Sequence, residues 1–422
     1  MTTAAPARPA APAPSVPVAP RLRSRPGHFG SLRLQQLVLV EVAAAALLLA
    51  WVVEPLLLAP AAVFSGALLL FAVMRRHQRS LPEWLGSALA LRRRQRRAAS
   101  APPAPDTDPA LAPAVECEPA LRTYSYTDRD RRHVGMIGDG TFVTAVLRVE
   151  TGGRALRPQR TEQPLPLALL RDVLEVDGIR LESAQVVQHT QPAPAPHLPE
   201  QSVAARNYVP LHARTGSPAV RISWIALKLD PELCPEAVEA RGGGLTGAQR
   251  SVLRAADQLA SRLTGAGFRA AVLSEEELIA AVATSLCANP RATAQAGRAE
   301  VPARRTAETS RIWQCDDRRH TTYWLGRWPQ LGAGAAALPQ LVALLTSVPA
   351  LATTFSLTLR RGAREEVTLS GHVRITGRSD NELVRARNEL QRTARGVKTG
   401  LVRLDREQLP GVLATLPLGG AR

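Results

Sequence analysis

The chain has 422 residues and a formal net charge of +17, with 45% hydrophobic and 4% aromatic residues. That length leaves room for one large or two small domains. Cys117, Cys234, Cys287 and Cys315 are scattered without a CxxC spacing, which fits reduced thiols rather than a disulfide framework. The charge is uneven. The first 100 residues carry 13 Arg and 3 Glu, a net of +10, so only +7 belongs to the other 322. Arg supplies every basic residue except Lys228 and Lys398, and the accompanying wealth of Ala and Pro reads as a GC-rich genome rather than selection for phosphate. No nucleic-acid partner is expected.

Residues 1–33 are an Ala/Pro-rich basic tail, expected to be disordered. Two apolar runs follow, Leu37 to Val53 and Leu56 to Met74, divided at Glu54-Pro55. Each run with its edges approaches the roughly 20 residues that cross a bilayer as a helix, so residues 34–75 read as a transmembrane helical hairpin. Arg21, Arg23, Arg25 and Arg33 precede it, while Arg75, Arg76 and Arg79 follow. The positive-inside rule puts both flanks, and both termini, in the cytoplasm of a two-pass protein of the cell (inner) membrane. A cleaved signal peptide fits poorly, because roughly thirty residues precede the first run and a second run follows at once. Glu41 either faces a partner helix or lies near the headgroups and snorkels.

Residues 76–97 read as a juxtamembrane amphipathic basic helix: Leu81, Trp84, Leu85, Ala88 and Leu89 recur at helical spacing before Arg92-Arg93-Arg94-Gln95-Arg96-Arg97. Such a helix lies along an inner leaflet, with anionic lipid headgroups as partners, or packs the same face on the following domain. Residues 98–121 are an Ala/Pro-rich linker, and 122–422 form a mixed α/β domain. There, His133 to Ile137 and Thr141 to Val149 predict a hairpin about Gly138-Asp139-Gly140. Further strands are predicted over Ile179–Gln188, Arg221–Leu229, Phe268–Leu273, Thr309–Gln314, Thr321–Trp328, Thr353–Arg360, Glu366–Ile375 and Leu401–Leu404. Helices are predicted over Leu245–Leu263, from the Ser274–Glu277 capping box to Cys287, over Leu338–Val348, from Ser379 to about Arg395, and from Asp405 onward. Gln191 to Pro218 is a long Pro-rich loop, a candidate partner contact, and 288–306 an Ala/Arg/Thr loop. The fold class is thus an N-terminal two-helix transmembrane hairpin followed by a mixed α/β cytoplasmic domain.

Chemical signatures are weak. Arg241-Gly242-Gly243-Gly244 precedes a helix and resembles a phosphate cradle, but lacks the Lys-Ser/Thr of a P-loop and the dinucleotide spacing. Cys315, Asp316 and His320 have no second pair at metal spacing, so a strand-turn-strand hairpin accounts for them better. Glu275 to Glu277 is ordinary charge at a helix start. No catalytic, cofactor-binding or metal-binding residues are assigned, and no cofactor is expected.

The order of arginine-flanked hairpin, Leu81-Pro82-Glu83-Trp84-Leu85-Gly86, basic run, linker and α/β domain is joined by three further stretches: Leu34 to Glu41, Trp313 through Tyr323-Trp324 to Trp328-Pro329, and Gln408-Leu409-Pro410 to Gly419-Gly420. Together these resemble EccE, a membrane component of the type VII (ESX) secretion system, over residues 27 to 420. The resemblance implies a non-enzymatic structural subunit that anchors and positions its α/β domain within an export complex, with EccB, the FtsK-like ATPase EccC and the multi-span EccD as partners. It supplies no catalytic residues. The alternative is a membrane-tethered, transferase-like enzyme acting on a lipid-linked or nucleotide substrate, which needs a polar pocket with convergent groups.

Overall fold

The computed structural model describes residues 21–22, 28–29, 32–54, 58–73, 75–76, 79–100, 107–151, 164–192, 203, 206–207, 220–300, 303–329, 338–362 and 366–420. Most of the 1–33 tail, Pro55, most of the Gln191–Pro218 loop and the Trp84 side chain lie outside these described residues. Twelve strands of one sheet define the body: β1 (Arg122–Thr127), β2 (His133–Gly138), β3 (Val143–Thr151), β4 (Ser183–Gln191), β5 (Val220–Leu229), β6 (Phe268–Val272), β7 (Thr306–Glu308), β8 (Trp313–Cys315), β9 (Arg318–Arg327), β10 (Ala352–Arg361), β11 (Val367–Gly377) and β12 (Gly400–Arg403). Their order is β7-β8-β9-β11-β10-β4-β5-β3-β2-β1, with β6 beside β3 and β12 beside β9. Every pairing among the twelve is antiparallel. Arg21–Leu22 adds a parallel pair against Thr368 and Leu369 of β11.

Local sequence explains much of this. The β2–β3 hairpin forms about Asp139, whose Oδ1 accepts from the Thr141 amide at 2.9 Å and its hydroxyl at 2.7 Å, an Asx-type turn. Between β6 and α8 (Glu275–Leu286), the capping box is complete: Ser274 Oγ accepts from the Glu277 amide while the Glu277 carboxylate accepts from the Ser274 amide. At α11 (Asp380–Gly396), Ser379 Oγ accepts from the Glu382 amide, while the Glu382 carboxylate accepts from the Arg378 amide. One expected strand pair moves: Thr309 to Ile312 is a turn, closed by the Thr309 amide on Ile312 O, and the ladder begins at Trp313.

The sheet has two unlike faces, because residues two apart share a side. One face carries Leu147, Val186, Ile225, Phe355, Leu357 and Val373, and packs into an apolar core with α7 (Gly244–Gly265), α10 (Leu338–Thr346) and α11. The opposite face holds a row of directly opposed residues, Thr322, Arg374, Thr354 and His189, continued by His320 opposite Thr376, His372 opposite Ser356 and Gln185 opposite Thr358. All of these except His372 are almost fully buried. Arg374 meets the Ser285 carbonyl, while its Nε and Nη1 find no partner. Burial pushes its pKa down to about 10.

This face is covered by α8 and by the C-terminal segment together. After α12 (Gln408–Leu413), residues 414–420 run across it as a strap. Gln185 Nε2 donates to Ala414 O at 2.9 Å and to Ser356 Oγ at 2.8 Å, and its Oε1 accepts from the Gly419 amide at 2.8 Å. Ser183 donates to Gly419 O, Thr144 to Leu418 O and Ser285 to Thr415 O. Gly420, at φ +89°, lies so close that a Cβ there would sit 2.4 Å from Thr358 Oγ1. No other residue type fits that approach.

The N-terminal expectation is corrected. Residues 34–53 and 58–73 do form helices, α1 (Leu34–Val53) and α2 (Leu58–Val73), in contact through Ser65 Oγ, which donates to Ala43 O at 2.9 Å. Among the described residues, however, no helix is long and apolar enough to cross a membrane. The physical reason is length: the described residues of α2 number 16, about 24 Å of helix against roughly 30 Å of hydrocarbon, and in α1 an exposed Glu41 interrupts the apolar run. The transmembrane hairpin and the two-pass topology are therefore not supported. Beyond it, α3 (Leu81–Ser100) is one continuous helix, and α4 (Ala112–Cys117) occupies part of the segment read as linker, with Pro113, Ala114 and Cys117 buried.

Two predictions follow from the polar face. Gln185→Ala leaves Ala414 O and the Gly419 amide without their partner, and should cost on the order of 2–4 kcal/mol in urea denaturation; a loss below about 0.5 kcal/mol would show that the strap holds without it. Burial holds the His189 pKa near 3, the His372 pKa near 4 and the His320 pKa well below the usual range, with the Arg374 charge adding to the effect at His189 and His320. The unfolded chain, with histidine pKa near 6.5, binds more protons below that pH, so stability is full above pH ~6.5 and falls as pH drops below it. Together the three should lower the unfolding free energy by roughly 3–4 kcal/mol between pH 7.5 and 5.5. His372→Gln should flatten that slope by about a third.

Candidate functional site

The residues that join the basic helix to the body converge on one sheet edge, β7 and the two arginines before it. Glu308, at the end of β7, has a nearly buried side chain, and its carboxylate takes both arms of Arg94 from α3: Nε to Oε2 at 2.8 Å and Nη2 to Oε1 at 3.0 Å. The same Oε1 accepts from the Leu409 amide at 3.0 Å, in the first turn of α12. Arg94 Nη2 also donates to Arg406 O at 2.6 Å, and Gln95 Nε2 donates to Glu308 O at 2.9 Å. One carboxylate thus ties α3, the sheet edge and the start of the strap through charge-assisted, bidentate bonds.

Beside it, Arg304 donates to Ala98 O near the end of α3 and to Glu116 O in α4. The buried Glu116 carboxylate accepts from the amides of Arg305 and Thr306 and from the Thr306 hydroxyl, the last at 2.7 Å. Arg305 forks onto Asp316, 2.8 Å on both arms, and reaches Pro109 O. Burial raises the Asp316 pKa, but the Arg305 fork and the Asn289 amide outweigh it and hold that carboxyl below its usual value. Residues 304–308 are therefore a hub onto which α3, residues 107–117 and the C-terminal segment are fastened. A cavity of about 690 Å³ opens beside the hub, between Arg94 and Arg97 of α3 and an apolar floor that includes Cys117, Phe142, Trp313 and Leu413. Lys228 borders it, bonded to Glu182 at 2.8 Å and 4.2 Å above the Phe142 ring.

The features singled out in the sequence lie elsewhere or serve the fold. In the 242–244 loop all three glycines have positive φ, and the Gly242 and Gly243 amides donate to Glu239 O and Val238 O, closing the turn after α6 (Pro235–Glu239). Cys315 and His320 are buried beneath α8 and the strap; Trp313 packs on the His320 ring at 4.9 Å, and His320 Nδ1 meets Thr376 Oγ1 at 3.0 Å. Among the described residues no group of three or more His, Cys, Asp or Glu could hold a metal ion. Glu275 accepts from Thr123 Oγ1 at 2.6 Å. The hub itself fell in a stretch read as loop, and the only local hint was the pair Arg304-Arg305 near Glu308.

Residues 217–325, from β5 through most of β9 and including the whole hub, match a family of type VII secretion-system components. The family is described as "Putative type VII ESX secretion system translocon, EccE", so the resemblance to EccE holds over this segment. A comparison with curated proteins gives no match.

Glu308→Gln replaces an acceptor oxygen with an amide that points N–H groups at Arg94 or Leu409. It should cost about 1–3 kcal/mol and speed amide hydrogen exchange in 94–100 and 406–412 while leaving α8 protected. Exchange that is unchanged in those two segments would mean the carboxylate does not fasten them.

Proposed function

We propose that the chain is a structural subunit of a type VII (ESX) secretion complex, which positions its α/β body for assembly and stability of the export machinery at the cell membrane. The observation that carries this reading is the family match over 217–325, the segment that also supplies Arg304 and Glu308 to the joint with α3. A large antiparallel sheet with a fastened terminal strap suits a rigid element that other subunits hold. EccB, the FtsK-like ATPase EccC and the multi-span EccD are the expected protein partners, and anionic lipid headgroups the expected membrane contact.

The test is purification of the tagged full-length chain from its native membrane in mild detergent, followed by mass spectrometry. Co-recovery of an FtsK-like ATPase and a multi-span membrane subunit in fixed ratio is the expected result. A chain that emerges alone would overturn the assembly role.

A further inference from the structure

The two sides of α3 are unlike. At 3.6 residues per turn, Ser87, Leu91, Arg94 and Ala98 fall on one side, and this is the side turned inward: Ser87 and Leu91 are buried, Arg94 is bonded to Glu308 and the Ala98 carbonyl to Arg304. The opposite side carries Leu85, Leu89, Arg92, Arg93 and Arg96, all exposed. None of these arginines has an acidic partner among the described residues, whereas Arg94 in the same run is fully engaged. Two exposed leucines are followed on this side by three guanidinium groups with no ion pair among the described residues.

We propose that this outward face of α3 is a docking surface for an anionic lipid bilayer, with Leu85 and Leu89 entering the boundary between headgroups and acyl chains and Arg92, Arg93 and Arg96 held at lipid phosphates. Charge complementarity selects the occupant: guanidinium forks match phosphate oxygens, and a helix with leucines and arginines on its free side binds in the plane of an interface. A nucleic acid fits less well, since no described side chain of this face is aromatic and leucines give bases no stacking platform. Because Arg94 and Gln95 clamp the other side to the hub, the body is held at the membrane in a fixed orientation. The inference rests on the proposed function only in setting the chain beside a membrane. It assigns a membrane contact to the outward face of α3.

The experiment places Leu89→Trp in the full-length chain and follows its fluorescence, relative to the unsubstituted chain, on vesicles with brominated acyl chains made of phosphatidylcholine alone or mixed with phosphatidylglycerol. Quenching is expected on the anionic vesicles and should weaken as salt rises. Adding Arg92→Gln, Arg93→Gln and Arg96→Gln should lower partitioning onto the anionic vesicles on the order of a hundredfold. No quenching, equal partitioning of the arginine variant, or displacement of the chain from vesicles by a short DNA duplex would each overturn the proposal. If the secretion subunits co-purify but Leu89→Trp is not quenched, only this inference fails. If quenching occurs and the chain purifies alone, only the assembly role fails.

Discussion

The structure depends on a sheet whose second face is polar and cannot be left to water or to oil. His189, Thr354, Arg374 and Thr322 span four strands in one row, where α8 meets Arg374 through the Ser285 carbonyl and His189 pairs with Thr354, because each polar group stranded there costs about 1–3 kcal/mol. Next to this row the chain adds backbone to the cover. Residues 414–420 lie across the face, and their carbonyls and amides answer Gln185, Ser183 and Thr144 of the sheet and Ser285 of α8. A strap needs close approach, hence two glycines at positive φ, Gly419 against Lys228 and Gly420 against Thr358.

That arrangement fixes where the rest attaches. The strap begins at α12, whose Leu409 amide shares the Glu308 carboxylate with Arg94, so the last segment of the sheet's cover and the basic helix near the start of the chain meet at one residue. Glu116 and Arg305 repeat the device at the same sheet edge, each burying a charge only where several bonds satisfy it. Buried carboxylates placed this way add modestly to stability but fix geometry strictly.

Legibility in the sequence followed the range of the interaction. The β2–β3 hairpin, the Ser274–Glu277 box and the Ser379 cap are set by residues within four positions of each other, and the sequence declared them. The alternation of β4 and β5 was readable too, but not that both faces are buried, since Thr, Gln and His at alternate positions look like a wetted side. The transmembrane reading failed because a window of apolar residues counts composition, whereas crossing demands uninterrupted length; Glu41 and the short α2 remove it. The hub escaped notice because Arg94 and Glu308 are 214 positions apart, a separation at which no local pattern exists. The family resemblance was legible from stretches such as Trp313 to Tyr323, which the structure places in buried β8 and β9.

The joint also decides what motion of α3 can mean. A helix held only by apolar contacts slides or rolls with little penalty, but Arg94 engages Glu308 through two bonds and Arg406 through a third, a fork that tolerates neither rotation nor a one-residue shift. Any force on the outer side of α3 is therefore passed to Glu308, and from its Oε1, which Arg94 shares, to Leu409 and the strap. Because the strap bonds Gln185, Ser183 and Thr144 on the sheet, the attachment of α3 and the cover of that part of the sheet meet in one C-terminal segment.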